Sequence, residues 1–345
     1  MVTLAGEGIE LPIATDHNKV IDYTKVQQET RCEGLFIPVI GSEVTTDRGH
    51  FNVFPLTMEA AAIDYRATNW SALFESARRA SPKGLIILNH PTDTHVAFRP
   101  FDREHIDPST GVPAEGFPIG FDAIELVVSG ALQTDFMEPY RTWFELLNRG
   151  YRLAGVGSSD SHDVNRYIVG QSRTYIRWPD EPSGKTDVQT AVENLRAGHA
   201  IVSFGLFPQL LVNDRFECGD LATNLGATIR VSAIVRGPSW TSCNRVMLFA
   251  NGVLLRDEAV MTSTTNSGSG IKAQFQWSLP QPANDTYLVL IATGPGDALP
   301  FWPIMRPYQP KSKNWTPRWI GSTNPIWIDA DGDGKWSPSQ EARSN

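Results

Sequence analysis

The chain has 345 residues, 30 Lys plus Arg against 38 Asp plus Glu, and a formal net charge of −8. That balance excludes a nucleic-acid binder working through a basic footprint, and 41% hydrophobic with 20% charged residues excludes a disordered polyanion. Three distant cysteines, Cys32, Cys218 and Cys243, make neither a disulfide framework nor a paired-thiolate zinc knuckle. Apolar runs are strand-sized and none reaches the roughly 18 residues of a membrane span. The opening residues carry no signal-peptide pattern.

In chain order, residues 1–205 alternate short apolar runs with helix-like stretches, the rhythm of a parallel sheet or barrel. Strands are expected at 9–15, 35–40, 85–88, 123–128 and 153–156, and amphipathic helices at 70–79, 136–148 and 188–197, with Gly198 as a helix stop. From 206 to 300 the pattern changes to short β-rich runs at 209–212, 228–235, 245–249, 272–278 and 287–292, read as an antiparallel sandwich. Asn251-Gly252 marks a hairpin turn inside it. Residues 301–345 form a Trp- and Pro-rich tail. Its Trp302, Trp315, Trp319 and Trp327 are read as inter-domain packing, with a sugar-stacking face as the alternative.

The chemistry-bearing residues gather where strands are expected to end. Thr15-Asp16-His17-Asn18 follows the first, Gly41-Ser42-Glu43 the second, and Gly49-His50 comes shortly after. Asn89-His90-Pro91 ends the third, and Ser159-Asp160-Ser161-His162 follows the last. In a β/α barrel such ends converge on one rim. His17, Glu43, His50, His90, Asp160 and His162 would then form one imidazole–carboxylate cluster. That donor set suits Zn, Mn or Fe, with a carboxylate able to bridge two ions. Asp160 and His162, two apart, would point the same way on extended backbone.

The motifs TDHN, GSEVTT–GHFN, LNHP, FDAIELV and GSSDSHD, in this order over residues 1–205, resemble the polymerase and histidinol phosphatase (PHP) superfamily of metallohydrolases. The likeness is nearest to its carbaryl-hydrolase branch, CehA/McbA. The resemblance implies an α/β fold, a distorted (β/α) barrel with a two- or three-metal centre, followed here by the β-sandwich-like domain. It implies hydrolysis of a phosphoester or of a carboxyl or carbamate ester. By motif, His17 and Glu43 fall on the family's first ligand and bridging carboxylate, His50 and His90 on its middle histidines, and Asp160 and His162 on its final pair. Asp16 matches the acid beside the first ligand. Family members open with a His-x-His motif upstream, whereas the residues before Asp16 contain no His. The expectation is therefore a barrel lacking its first strand, cut from a longer protein.

Other residues carry lesser expectations. His95 and Arg99 lie in the loop after His90 and would touch substrate. Arg173 is read as an internal salt bridge, with a side chain facing the pocket as the alternative, and His105 and His199 as surface or packing residues. Asp329, Asp331, Asp333, Ser337 and Gln340 match positions 1, 3, 5, 9 and 12 of a Ca²⁺ loop, with Gln340 where a bidentate Glu is usual. The expected partner is a small ester or phosphoester, with no nucleic acid and no transmembrane segment. The β module and Ca²⁺ loop lean towards an extracytoplasmic setting. The rival reading is a non-catalytic binder of glycans or a cell-surface partner.

Overall fold

The computed structural model describes residues 1–93, 107, 118–132, 134–163, 167–178, 187–261, 270–296, 302–307 and 314–338. His95, Arg99, His105 and Gln340 lie outside these.

The expected α/β barrel is not formed: among the described residues strand outweighs helix, and no sheet closes. The N-terminal part opens with helix α1 (Val2–Gly6). A two-stranded parallel pair follows, β1 (Ile13–Ala14) with β2 (Val39–Ile40), flanking helix α2 (Thr24–Glu29). Next come β3 (Ser42–Thr46), β4 (Gly49–Phe54), helix α3 (Trp70–Ala80), β5 (Leu85–Leu88), β6 (Ala123–Val128), helix α4 (Glu138–Asn148) and β7 (Ala154–Ser158). The sheet runs β3-β4-β5-β6-β7 and is open, with β3–β4 and β4–β5 antiparallel and only β5–β6–β7 parallel.

The reason lies in residues 42–54. They alternate polar and apolar with period two, so Val44, Phe51 and Val53 turn into the core while Glu43, Thr45, His50 and Asn52 take the other faces of the pleat. A hairpin satisfies that pattern where a barrel needs a crossover. The helices follow their local signals. The Asn69 side chain accepts from the Ala72 N–H to cap α3 at 2.8 Å, and Pro139 sits in the first turn of α4.

The second part begins with β8 (Arg173–Ile176), helix α5 (Val188–Arg196) and β9 (Ala200–Phe204). Asp187 caps α5, and Gly198, at φ +80°, ends it in the left-handed conformation a β-carbon disfavours. Strands β10 (Phe207–Val212), β11 (Leu221–Ala222), β12 (Thr228–Arg236), β13 (Arg245–Ala250), β14 (Val253–Ala259), β15 (Ile271–Pro280), β16 (Thr286–Pro295), β17 (Arg318–Thr323) and β18 (Ile326–Ile328) complete the chain. A three-stranded antiparallel sheet, β10-β12-β15, packs over an eight-stranded one built on β11-β18-β16-β17-β9-β8, with β13 beside β16 and β14 beside β13. The larger sheet draws strands from both sides of Gly205. Asn251 (φ +47°) and Gly252 (φ +77°) make the expected β13–β14 turn.

The tail supplies β17 and β18 to this sandwich. Trp302, Trp319 and Trp327 are buried, with Trp302 stacked on Trp319 at 5.5 Å, so no sugar-stacking face is made from them. Trp315 is half-buried against the same core. Asn324, wholly buried, joins the five-stranded sheet to the eight-stranded one. Its Oδ1 accepts from Gly155 N–H (2.7 Å), and its Nδ2 donates to the Gly155 and Ala200 carbonyls (both 2.9 Å). Arg173 pairs with Glu7 at 2.7 Å, as an internal salt bridge, and His199 packs on the Cys218 carbonyl at 2.9 Å. No helix among the described residues is long and apolar enough to cross a membrane.

Candidate metal centre

The site forms where the β3–β4 hairpin meets the C-terminal ends of β5 and β7. Each side chain arrives by a local device. Glu43 and His50 stand on the hairpin itself rather than on strand-end loops, with Glu43 opposite Asn52 and His50 opposite Thr45. His17 is brought alongside by a single parallel bridge to Glu43, and the Asn18 N–H donates to the Glu43 carbonyl at 2.8 Å. His90 lies two residues past β5 at φ +26°, and Asp160 two past β7 at φ +49°. The backbone at Asp160 is therefore not extended. Positive φ in non-glycine residues costs of order 1–3 kcal/mol and persists where surroundings impose it. Gly130 lets Asp160 sit close: a β-carbon there would stand 3.2 Å from Asp160 Oδ2.

Glu43, His50 and His90 converge, each offering a donor atom within 4.8 Å of the others. Glu43 Oε1 lies 2.9 Å from His50 Nδ1 and 3.8 Å from His90 Nε2, while Oε2 faces His17 Nδ1 at 3.3 Å. His17 and His162 meet through their Nε2 atoms at 3.2 Å, and Asp160 Oδ1 is 3.7 Å from His162 Nδ1. Asp16 stands apart. Its carboxylate accepts from the Tyr23 hydroxyl at 3.1 Å, and its carbonyl accepts from the Glu43 N–H at 3.2 Å. The structure thus gathers six of the seven residues singled out around the motifs.

Two features fit this set to a cation. His162 Nδ1 is 3.0 Å from the Asp160 carbonyl, which only accepts, so that ring's proton belongs on Nδ1, while the Thr45 hydroxyl, 2.5 Å from His17 Nδ1, can donate or accept. The His162 Nε2 lone pair is then turned to His17 Nε2 at 3.2 Å, the two nitrogens aimed at one point. Two nitrogens bound tetrahedrally to one zinc ion at about 2.0–2.1 Å stand about 3.3 Å apart, close to the distance seen. The second feature is charge. Glu43 and Glu125 are buried and Asp160 nearly so, and the positive groups acting on them are imidazoles. Buried carboxylates without compensating charge are costly.

The titration behaviour follows from the same contacts. Burial pushes Glu43 up, but hydrogen bonds and charge from His50 and His90 outweigh it and hold the carboxyl well below its ordinary range. Burial pushes His90 down, yet the Glu43 bond and the charges of Glu125, Asp160 and Glu43 raise it to about 9. Burial lifts Glu125 to about 7, against the pull of His90 and Ser158. Asp160 is raised mainly by burial.

Three site residues were not foreseen. Glu125 accepts from the His90 N–H at 2.6 Å and from the Ser158 hydroxyl. Asn89 Nδ2 donates to Glu43 Oε1 at 3.2 Å, and buried Asp93 lies 3.8 Å from His90 Nδ1. A lone charged residue inside the apolar run AIELVV was the available signal for Glu125.

A second group, Asp285, Asp329 and Asp331, lies in the tail loop and against the β15–β16 turn. Asp329 accepts from the Gly332 and Gly334 N–H groups at 2.7 and 2.9 Å, and Asp333 from Lys335 N–H at 2.7 Å. Asp285 accepts from Ala330 N–H at 2.8 Å and Ser337 N–H at 2.7 Å, so it shares the loop with the expected residues. Both groups could hold a metal ion. No family model matches the chain, and no curated protein is similar to it.

Proposed function

We propose that this chain is a metal-dependent hydrolase of the PHP type, acting on a phosphoester or on a carboxyl or carbamate ester. One observation carries the reading: Glu43, His50 and His90 share a donor cluster within 4.8 Å beside the facing His17 and His162 nitrogens. Glu43, His50 and His90 would hold one zinc, manganese or iron ion, and His17, His162 and Asp160 a second, with the two Glu43 oxygens turned towards both groups. Such ions lower the pKa of a bound water towards 7 and polarise the group under attack. The chain's own residues do the rest. The Asp160 carbonyl fixes the tautomer of His162, and Thr45 orients the His17 ring. Asp160, pushed up by burial, would be a ligand whose other oxygen can take the proton that water loses on attack.

The all-oxygen group of Asp285, Asp329 and Asp331 suits a hard cation, and in this reading it takes Ca²⁺ and pins the tail to the sandwich. The catalytic reading is tested by assaying aryl phosphates, aryl carboxyl esters and aryl carbamates with Zn²⁺ or Mn²⁺ added. Metal-dependent turnover lost in Glu43→Gln and Asp160→Ala is expected. Turnover unchanged in both variants overturns it.

A further inference from the structure

Glu125 is 3% exposed and meets the centre through the backbone of His90 rather than through an imidazole nitrogen. It stands in β6 where the ladder to β7 slips between Glu125 and Val127, a bulge that re-aims side chains. Its Oε2 accepts from the main-chain N–H of His90 at 2.6 Å, and its Oε1 accepts from the Ser158 hydroxyl at the end of β7. One carboxylate therefore ties together the strand ends that carry His90 and Asp160. His90 needs such a tie. Its φ of +26° is a conformation that a histidine keeps only when its surroundings impose it, and the turn it starts is closed by Asp93 N–H to the His90 carbonyl at 2.8 Å. Behind His90 and Glu125 lies a cavity of about 20 Å³, room for one water, lined mostly by apolar groups such as Leu126, Leu132 and Phe136. In that largely apolar setting the charge-assisted bond to His90 is strong.

We infer that Glu125 is a positioning residue of the metal centre, holding the His90 backbone so that the imidazole meets Glu43 and His50. The inference rests on the metal reading above. Glu125→Leu keeps volume but removes the acceptor, and Glu125→Gln keeps an amide oxygen for the His90 N–H while its NH₂ donates to Ser158. Co²⁺ is the probe, read by its visible absorption and by competition with a chelator, alongside the melting temperature of the metal-free chain.

The expected result is Co²⁺ affinity lowered about 10- to 100-fold in Glu125→Leu, the effect typical of a lost outer hydrogen bond. Its absorption band should shift, and Glu125→Gln should restore affinity to within about threefold of the wild type. Melting should fall in the leucine variant, which orphans the buried His90 N–H and Ser158 hydroxyl, so the Co²⁺ readings are what separate positioning from bare support. A purely structural residue would lower melting and leave band and affinity unmoved, and that result overturns the inference. Should the leucine variant not fold, Ser158→Ala frees Oε1 without emptying the site, and an unshifted Co²⁺ band there overturns it equally. Wild-type protein that binds no Co²⁺ overturns the metal reading and this inference together. Wild-type binding with Glu125→Leu indistinguishable from it overturns this inference alone.

Discussion

Metal binding at this site must displace a proton from His90, and that sets a measurable pH dependence. An imidazole ligates only when neutral, and the surroundings of His90 raise it to about 9. At pH 7 the ring is then about two units below its midpoint, so apparent affinity is about 100-fold below its limit, about 2.7 kcal/mol. Each unit of pH from 7 to 9 should tighten binding about tenfold, or about 1.4 kcal/mol, with a plateau above 9. The assay is Zn²⁺ competition against a chromophoric chelator at half-unit steps, corrected for the chelator's own protons. Calorimetry in buffers of different ionisation enthalpy counts the protons released. About one proton per chain at pH 8 from His90 is expected. Affinity that is flat between pH 7 and 9 would mean that no proton leaves His90 on binding.

Three further outcomes follow from particular contacts. In the metal-free chain the raised His90 stabilises the fold fully below its unfolded value of 6.5, and that contribution is lost as pH climbs through about 9. Glu125 acts in the same direction between 4.5 and about 7. Differential scanning calorimetry of the apo chain should therefore show melting fall from pH 6 to 9.5, and a rise across that range would contradict these assignments. Asn324→Leu strips acceptor and donor from the buried Gly155 and Ala200 backbone groups and should cost about 2–5 kcal/mol in urea unfolding. A loss under about 0.5 kcal/mol would mean these bonds do not join the two sheets. Millimolar Ca²⁺ should raise the melting temperature of the wild type and leave Asp329→Ala unmoved. An equal rise in both would place the ion elsewhere.

Much of the fold is visible in local patterns. The runs 85–88 and 123–128 form strands at those bounds, and helices α3, α4 and α5 begin within two residues of where periodicity and caps put them. The β-rich runs after Gly205 become β10, β12, β13, β15 and β16, because alternation and the Asn-Gly turn act over short distances. Long-range pairing is what the chain pattern leaves open. Nothing local to residues 200–204 or 318–323 says that they pair with each other, or that the sandwich's larger sheet reaches back to β8. The polar alternation in 42–54 was legible as a hairpin, but its histidine and glutamate drew the reading towards strand-end loops.

The site divides in the same way. Histidines and carboxylates grouped beside apolar runs mark His17, Glu43, His50, His90, Asp160 and His162, which the fold gathers. Asp16 shares their motif, yet its carboxylate is taken by Tyr23. Asn89 and Glu125 act through hydrogen bonds set by tertiary placement, and that placement is not written in spacing.

Six side chains that hold transition-metal ions should keep them through purification. Elemental analysis of the purified chain, after loading with Zn²⁺ or Mn²⁺ and removal of excess, tests this most directly with Glu43→Gln as the control. One or two ions per wild-type chain, lost or reduced in the variant, is the predicted result. A wild-type chain that retains no transition metal at any pH between 7 and 9 would contradict it.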